Sequence, residues 1–164
     1  MSDPFLSSLE IAESVSEKVN VLVYGPPASG KTFFAGSGKN HGEKVLILAI
    51  ENGLNSISES GNKTKIRRIE TYKELAEAVN WVENNPQCFD WVVLDSLSRV
   101  QSKLLWPWIK SKRKQNSSSG SGIEEEKREL QEYHTVFLHT EKLIDDLCYS
   151  GANIILLRDR KSVV

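Results

Sequence analysis

The chain carries almost no net charge. Lys and Arg total 21 against 22 Asp and Glu, leaving −1 over 164 residues. A global field that would draw the whole molecule to nucleic acid or to an anionic membrane is therefore excluded. No apolar run approaches the roughly 18 residues of a membrane-spanning helix, so no membrane is expected as a partner. Met1-Ser2-Asp3-Pro4 lacks the basic and apolar regions of a secretory signal. Only two cysteines occur, Cys88 and Cys148, far apart in the chain. That excludes a disulfide framework and fits a reduced, cytoplasmic pair of small apolar residues. His41, His134 and His139 stand at no metal-ligand spacing with them. His134 and His139 read as helix-surface residues, and none of the three is given a catalytic role. There is no internal repeat. The length is that of one domain able to bury a core.

Against these absences stands one complete motif. Gly25-Pro26-Pro27-Ala28-Ser29-Gly30-Lys31-Thr32 has the form G-x-x-x-x-G-K-T, a phosphate-binding loop. It follows the apolar run Val19-Asn20-Val21-Leu22-Val23-Tyr24, and a helix can begin at its end, so the strand–loop–helix context is present. The glycines let backbone N–H groups turn inward around a β-phosphate, and the helix start adds positive potential. Pro26 and Pro27 stiffen the start of the loop. Lys31 is expected to reach the β- and γ-phosphates and the Thr32 hydroxyl to ligate Mg²⁺. The nucleotide-binding stretch runs from Gly25 through Phe33.

The remaining apolar runs alternate with helical patterns, which predicts a mainly parallel sheet with right-handed crossovers. Residues 44–50 form a continuous apolar run, as in a strand buried on both faces. Residues 65–69 read as a short extended piece at the sheet edge. Thr71-Tyr72-Lys73-Glu74 is a capping box opening a helix with Leu75, Ala78, Val79 and Val82 inward, stopped by Asn84-Asn85-Pro86. Residues 91–95 and 153–157 are two further strands. A long helix is expected over about 124–149, with Leu130, Tyr133, Phe137, Ile144 and Leu147 or Cys148 near one stripe, ending at Ser150-Gly151. Residues 101–122, with their Ser/Gly-rich close, read as a flexible basic loop. Residues 1–18 are a lead-in, and 19–164 form the domain.

Asp95 closes the apolar strand Trp91-Val92-Val93-Leu94-Asp95, the Walker B pattern. Behind a complete phosphate loop, such a carboxylate is expected to hold Mg²⁺ together with Thr32. In many AAA+ ATPases a water-activating Glu directly follows that Asp, but Ser96 stands there. Glu51 ends an earlier strand at the same carboxyl edge, where ligands bind in open α/β folds. It is the expected catalytic carboxylate beside Lys31.

Three stretches together carry a family resemblance: Tyr24 through Thr32, then Glu51-Asn52-Gly53-Leu54-Asn55-Ser56-Ile57, then Val92-Val93-Leu94-Asp95-Ser96-Leu97. The set resembles the RecA-like ATPase core, most nearly the compact single-domain phage nucleotide-binding proteins of that group, which serve in DNA recombination. The middle stretch is similar to the family's E-G-G-L-x-S-L. The resemblance implies a three-layer α/β P-loop fold with RecA-like strand order, ATP and Mg²⁺ as cofactors, and a single-stranded DNA task performed as a homo-oligomer. If the chain is phage-encoded, its compartment is the bacterial cytoplasm. Two departures stand out. The fourth core strand of the family ends in a polar γ-phosphate sensor, yet here it runs into Leu157-Arg158-Asp159-Arg160-Lys161, where no sensor is visible and Arg158 reads as part of a solvated loop. The chain also stops at Val164, which reads as a shortened domain whose first strand lacks an outer neighbour.

In RecA-like proteins the loop after the third core strand faces DNA. Residues 101–122 take that place. Lys110, Lys112, Arg113 and Lys114 are expected to neutralise phosphates, with Trp106 or Trp108 stacking on a base. Other readings stay open: an ATP-dependent helicase loader or accessory, a nucleotide-binding module without turnover, and, with less support, a small-molecule kinase. The absence of an N-K-x-D guanine motif favours ATP over GTP.

Overall fold

The computed structural model describes residues 18–37, 44–50, 64–116 and 122–160. Five strands make one sheet: β1 (Asn20–Gly25), β2 (Val45–Ala49), β3 (Thr64–Arg68), β4 (Trp91–Asp95) and β5 (Asn153–Asp159). Their spatial order is β1-β5-β4-β2-β3, and every pairing is parallel. Each expected strand is present, and the α/β P-loop fold with its parallel sheet is as the sequence predicts. Strand β5 inserts between β1 and β4, so the strand leading into the phosphate loop and the strand ending in Asp95 both border it. The last described strand in sequence is thus interior to the sheet, next to the β1 edge.

Burial follows the pleat, because alternate residues face opposite sides. Leu46, Leu48, Val92, Leu94, Ile154 and Leu156 belong to one core. Val45, Ile47, Ala49, Val93, Ile155 and Leu157 belong to the other. Strand β2 is buried at every position, as expected of a strand covered on both faces. Strand β1 is an edge strand in the described sheet, and Leu22 and Tyr24 on it are exposed.

The first face is covered by α2 (Tyr72–Asn84), α3 (Leu97–Arg99), α4 (Trp106–Asn116) and α5 (Gly122–Cys148). Thr71 caps α2 as expected: its side chain accepts from the Glu74 N–H at 3.2 Å, while Glu74 Oε2 accepts from the Thr71 N–H at 3.3 Å. Leu75, Ala78, Val79 and Val82 are its buried residues. Against the other face, α1 (Lys31–Gly36) packs Ala35.

Two expectations are corrected. Residues 101–116 are not a flexible loop. A wide π-helical stretch at Val100–Leu105 joins α3 to α4, and it buries Val100, Leu104 and Leu105. The apolar residues of this segment provide the reason, since they complete the core under α2 and α5. Residues 117–121 lie outside the described set. The inward stripe of α5 also differs. In its first half Glu132, Val136 and Thr140 are buried, whereas Leu130, Tyr133 and Phe137 are exposed, while in its second half Leu147 is buried and Ile144 and Cys148 pack against the core as expected. Two apolar stripes at helical spacing compete on this helix, and the one with polar members won. Thr140 is accommodated inside because its hydroxyl donates to the Val136 carbonyl at 2.7 Å.

Candidate functional site

The phosphate loop spans the turn from β1 to α1. Ala28 and Gly30 both have positive φ, 60° and 81°. Alternation of right- and left-handed backbone is how a chain builds an anion-accepting nest of N–H groups. A Cβ on Gly25 would lie 3.0 Å from Ser29 Oγ, so that position is restricted by close approach. Helix α1 has only six residues. The loop's own amides, rather than a long helix dipole, must therefore supply most of the positive potential.

Lys31 folds back over this loop. Its Nζ donates to the Pro26 carbonyl at 2.7 Å and to the Gly25 carbonyl at 3.2 Å. It also pairs with Asp159 Oδ1 at 2.8 Å. Thr32, the next residue, points its hydroxyl at Asp95, with Oγ1 donating to Oδ2 at 2.7 Å. The two halves of the expected metal pair, 63 residues apart in sequence, are in direct contact. Phe33, the last of the expected nucleotide-binding residues, is exposed.

The pleat explains why these carboxylates converge. Val93 and Leu157 face the α1 side. Two residues further on, Asp95 and Asp159 fall on the same side at adjacent strand ends. The Asp159 N–H donates to Ser98 Oγ at 3.2 Å, and the Arg160 N–H donates to the Gly25 carbonyl at 2.8 Å. The end of β5 is thereby tied both to the phosphate loop and to the turn after Asp95. The sequence reading ended this strand at Leu157, where its apolar run stops, and so missed Asp159 and Ser98. The signal was the period of two: residues 155, 157 and 159 share a face. Arg158 lies on the other face and is exposed.

The site fits a magnesium ion by its donor chemistry. A hydroxyl and a carboxylate are the hard oxygen donors that Mg²⁺ takes, directly or through one of the waters it keeps, and Thr32 and Asp95 would offer the two side by side. No group of three or more His, Cys, Asp or Glu side chains able to hold a metal occurs among the described residues. Two protein ligands suit an ion that takes its other ligands from phosphate and water.

The remaining expected residues are placed elsewhere. Glu51 lies outside the described residues. A cavity of about 530 Å³ opens at the carboxyl ends of β2 and β3, lined by Ile50, Arg68, Glu70, Lys103 and others. Trp108 stands 4.8 Å from Tyr72 and 5.1 Å from His139 between ring centroids. Trp106 meets Tyr133 edge-on at 4.6 Å. Lys112 and Lys110 lie over the Trp108 and Trp106 rings at 4.3 and 5.5 Å. The expectation of indoles free to stack on bases is therefore corrected, since protein groups already occupy these rings. The side chains of Arg113 and Lys114 lie outside the described set. His139 is half-buried rather than a plain surface residue. Its Nδ1 lies 3.1 Å from the Tyr72 hydroxyl. Burial first, then Lys112 and Lys142, pushes its pKa below the ordinary 6.5. Burial, with help from Asp146, pushes the Tyr72 hydroxyl upward. Cys88 and Cys148 are free thiols, as expected.

A parallel sheet with a G-x-x-x-x-G-K-T loop at its carboxyl edge, the loop Thr hydrogen-bonded to a strand-end Asp, defines a P-loop nucleotide-binding domain. A family model described as an AAA domain matches residues 17–162, and the chain belongs to that family. No curated protein matches it. No helix among the described residues is long and apolar enough to cross a membrane.

Proposed function

We propose that the protein binds ATP with Mg²⁺ and hydrolyses it in the manner of RecA-like ATPases. The observation that carries this reading is the 2.7 Å contact between Thr32 and Asp95 beside a Lys31 folded over the loop. The loop N–H groups from Ala28 to Phe33, together with Lys31, hold the phosphates. Thr32 and Asp95 hold the metal, which when bound offsets charge building up on the phosphate oxygens. Glu51 orients a water for in-line attack, a role that rests on its place after the apolar run at 44–50 and on the resemblance. In-line attack on a γ-phosphate needs both a positioned water and fixed donors around the transferring group, and the loop supplies the second.

For the macromolecular task, we propose handling of single-stranded DNA by a homo-oligomer, as in recombination or annealing. With the indoles packed and Lys112 over the Trp108 ring, support comes from Lys103 and Lys110, both exposed along one helical run. Such contacts neutralise phosphates, so binding would weaken steeply with salt. The competing reading is a loader or accessory whose working surface binds protein.

The test is Mg-ATP turnover with and without single-stranded DNA, beside Lys31→Ala and Glu51→Gln. Turnover stimulated by DNA and lost in both variants is expected. Turnover indifferent to DNA would favour the loader. Binding without turnover under any condition would leave a nucleotide-binding module.

A further inference from the structure

The three N–H donors of an ammonium group allow three short acceptors. Lys31 has three: the Gly25 carbonyl, the Pro26 carbonyl and Asp159 Oδ1. Its side chain is 9 % exposed, that of Asp159 24 %. Lys31 is thus fully engaged inside the protein, and one of its three partners is an anion. A phosphate reaching for Lys31 must take the place of one acceptor. Asp159 is the one whose charge matches that of a phosphate oxygen, and it sits on a side chain rather than on the loop backbone. If Asp159 stayed in place, it would confront the incoming phosphate with like charge.

We propose that Asp159 is an internal stand-in for phosphate, a positioning residue that keeps Lys31 over the loop and that a nucleotide's β- and γ-phosphates must displace. The inference rests on the nucleotide-binding reading above and deepens it. Asp159 lowers affinity for the nucleotide, because the competent state is only the fraction of molecules in which Lys31 is released. The penalty is greater for ligands that bring more charge to this point, so ATP is affected more than ADP, and ADP more than AMP.

The experiment is equilibrium titration of the whole chain with fluorescent ATP and ADP analogues, on the parent, Asp159→Asn, Asp159→Ala, Asp159→Glu and Lys31→Ala. A pair that holds Lys31 for about nine-tenths of the time weakens binding about tenfold, so Asp159→Asn and Asp159→Ala should tighten ATP binding by about that factor, and ADP binding by less. Asp159→Glu, which keeps the charge, should stay near the parent. Damage to the fold would weaken binding, so a gain in affinity distinguishes displacement from a structural role. Unchanged or weaker binding in Asp159→Asn and Asp159→Ala, with binding lost in Lys31→Ala, overturns this inference alone. So does loss of a cooperative melt in both, which would make the pair structural. Binding undiminished in Lys31→Ala also overturns this inference, because Lys31 would then not be what the phosphates reach for, whereas binding absent from every variant and from the parent overturns the nucleotide reading itself.

Discussion

Two polar clusters sit on this protein, and they are built on opposite principles. At the carboxyl edge of the sheet, Lys31, Thr32, Asp95 and Asp159 converge from the start of α1 and the ends of β4 and β5, and are held by hydrogen bonds and charge. Between α2, α4 and α5, Tyr72, Trp108, His139 and Lys112 meet through ring faces and edges. On the reading proposed above, the first is prepared for an anion: its cation and hydroxyl are partnered by groups that a nucleotide or metal would replace. The second is closed upon itself and fastens helices to one another. Basic and aromatic residues interleaved in a sequence therefore do not by themselves make a nucleic-acid surface, because the same residues serve equally well as a helix clamp.

The sharpest way to separate the clusters is to remove one group from each and read both function and stability. Asp95→Asn keeps the shape of a buried side chain and removes its charge. Mg²⁺ dependence of nucleotide binding should weaken by about 10- to 100-fold, the range seen when a group that orients a metal is lost. Isothermal titration with and without Mg²⁺ checks this. The metal-free affinity should change far less.

Trp108→Ala should do the reverse. It deletes a half-buried indole that touches Tyr72, His139 and Lys112. A loss of about 2 kcal/mol in stability is expected, below the 3–5 kcal/mol of a fully buried aromatic. Chemical denaturation measures it, while nucleotide affinity in the folded variant should match the parent. If Trp108→Ala leaves stability untouched and weakens DNA binding instead, the indole works as a base platform after all and the contrast between the clusters fails.

The same contrast accounts for what the sequence disclosed. The strands, the capping box at Thr71 and Glu74, and the Thr32–Asp95 pair are legible because each is written in a local pattern: an apolar run, a four-residue box, a motif with fixed geometry. Asp159 follows from the strand period once the strand is extended past its apolar part, so it was readable but unread. The aromatic clamp was not readable. It joins residues 72, 108 and 139 from three helices, and no local period links them. The inward face of α5 failed for a related reason. Leu130, Tyr133 and Phe137 offer a better apolar stripe than Glu132, Val136 and Thr140, yet packing against α2 and the π-helical stretch decides which stripe is covered. Hydrophobic period names the candidate faces, and tertiary packing chooses between them.

The smallest expected effect, and the most specific to the clamp, is on pH dependence. His139 is held neutral in the fold because burial, Lys112 and Lys142 all oppose its charge. Its folded pKa lies below the ordinary 6.5 of the unfolded chain. Between those two values the unfolded chain binds more protons, so stability rises with pH across that window. The contribution is complete above the unfolded value and is lost as pH falls through 6.5 toward the folded one. The Tyr72 hydroxyl lies 3.1 Å from Nδ1 and can donate to it or accept from it according to the imidazole tautomer. Denaturation curves at about pH 8 and about pH 5 should therefore show a more stable protein at the higher value, part of the difference belonging to this site. His139→Asn, which carries no titrating ring, should flatten that part of the slope. Asp159→Asn, at the other cluster, should leave it unchanged. Were the slope equally steep in His139→Asn, the neutral imidazole would not be what the clamp requires, and its hold would rest on ring packing alone.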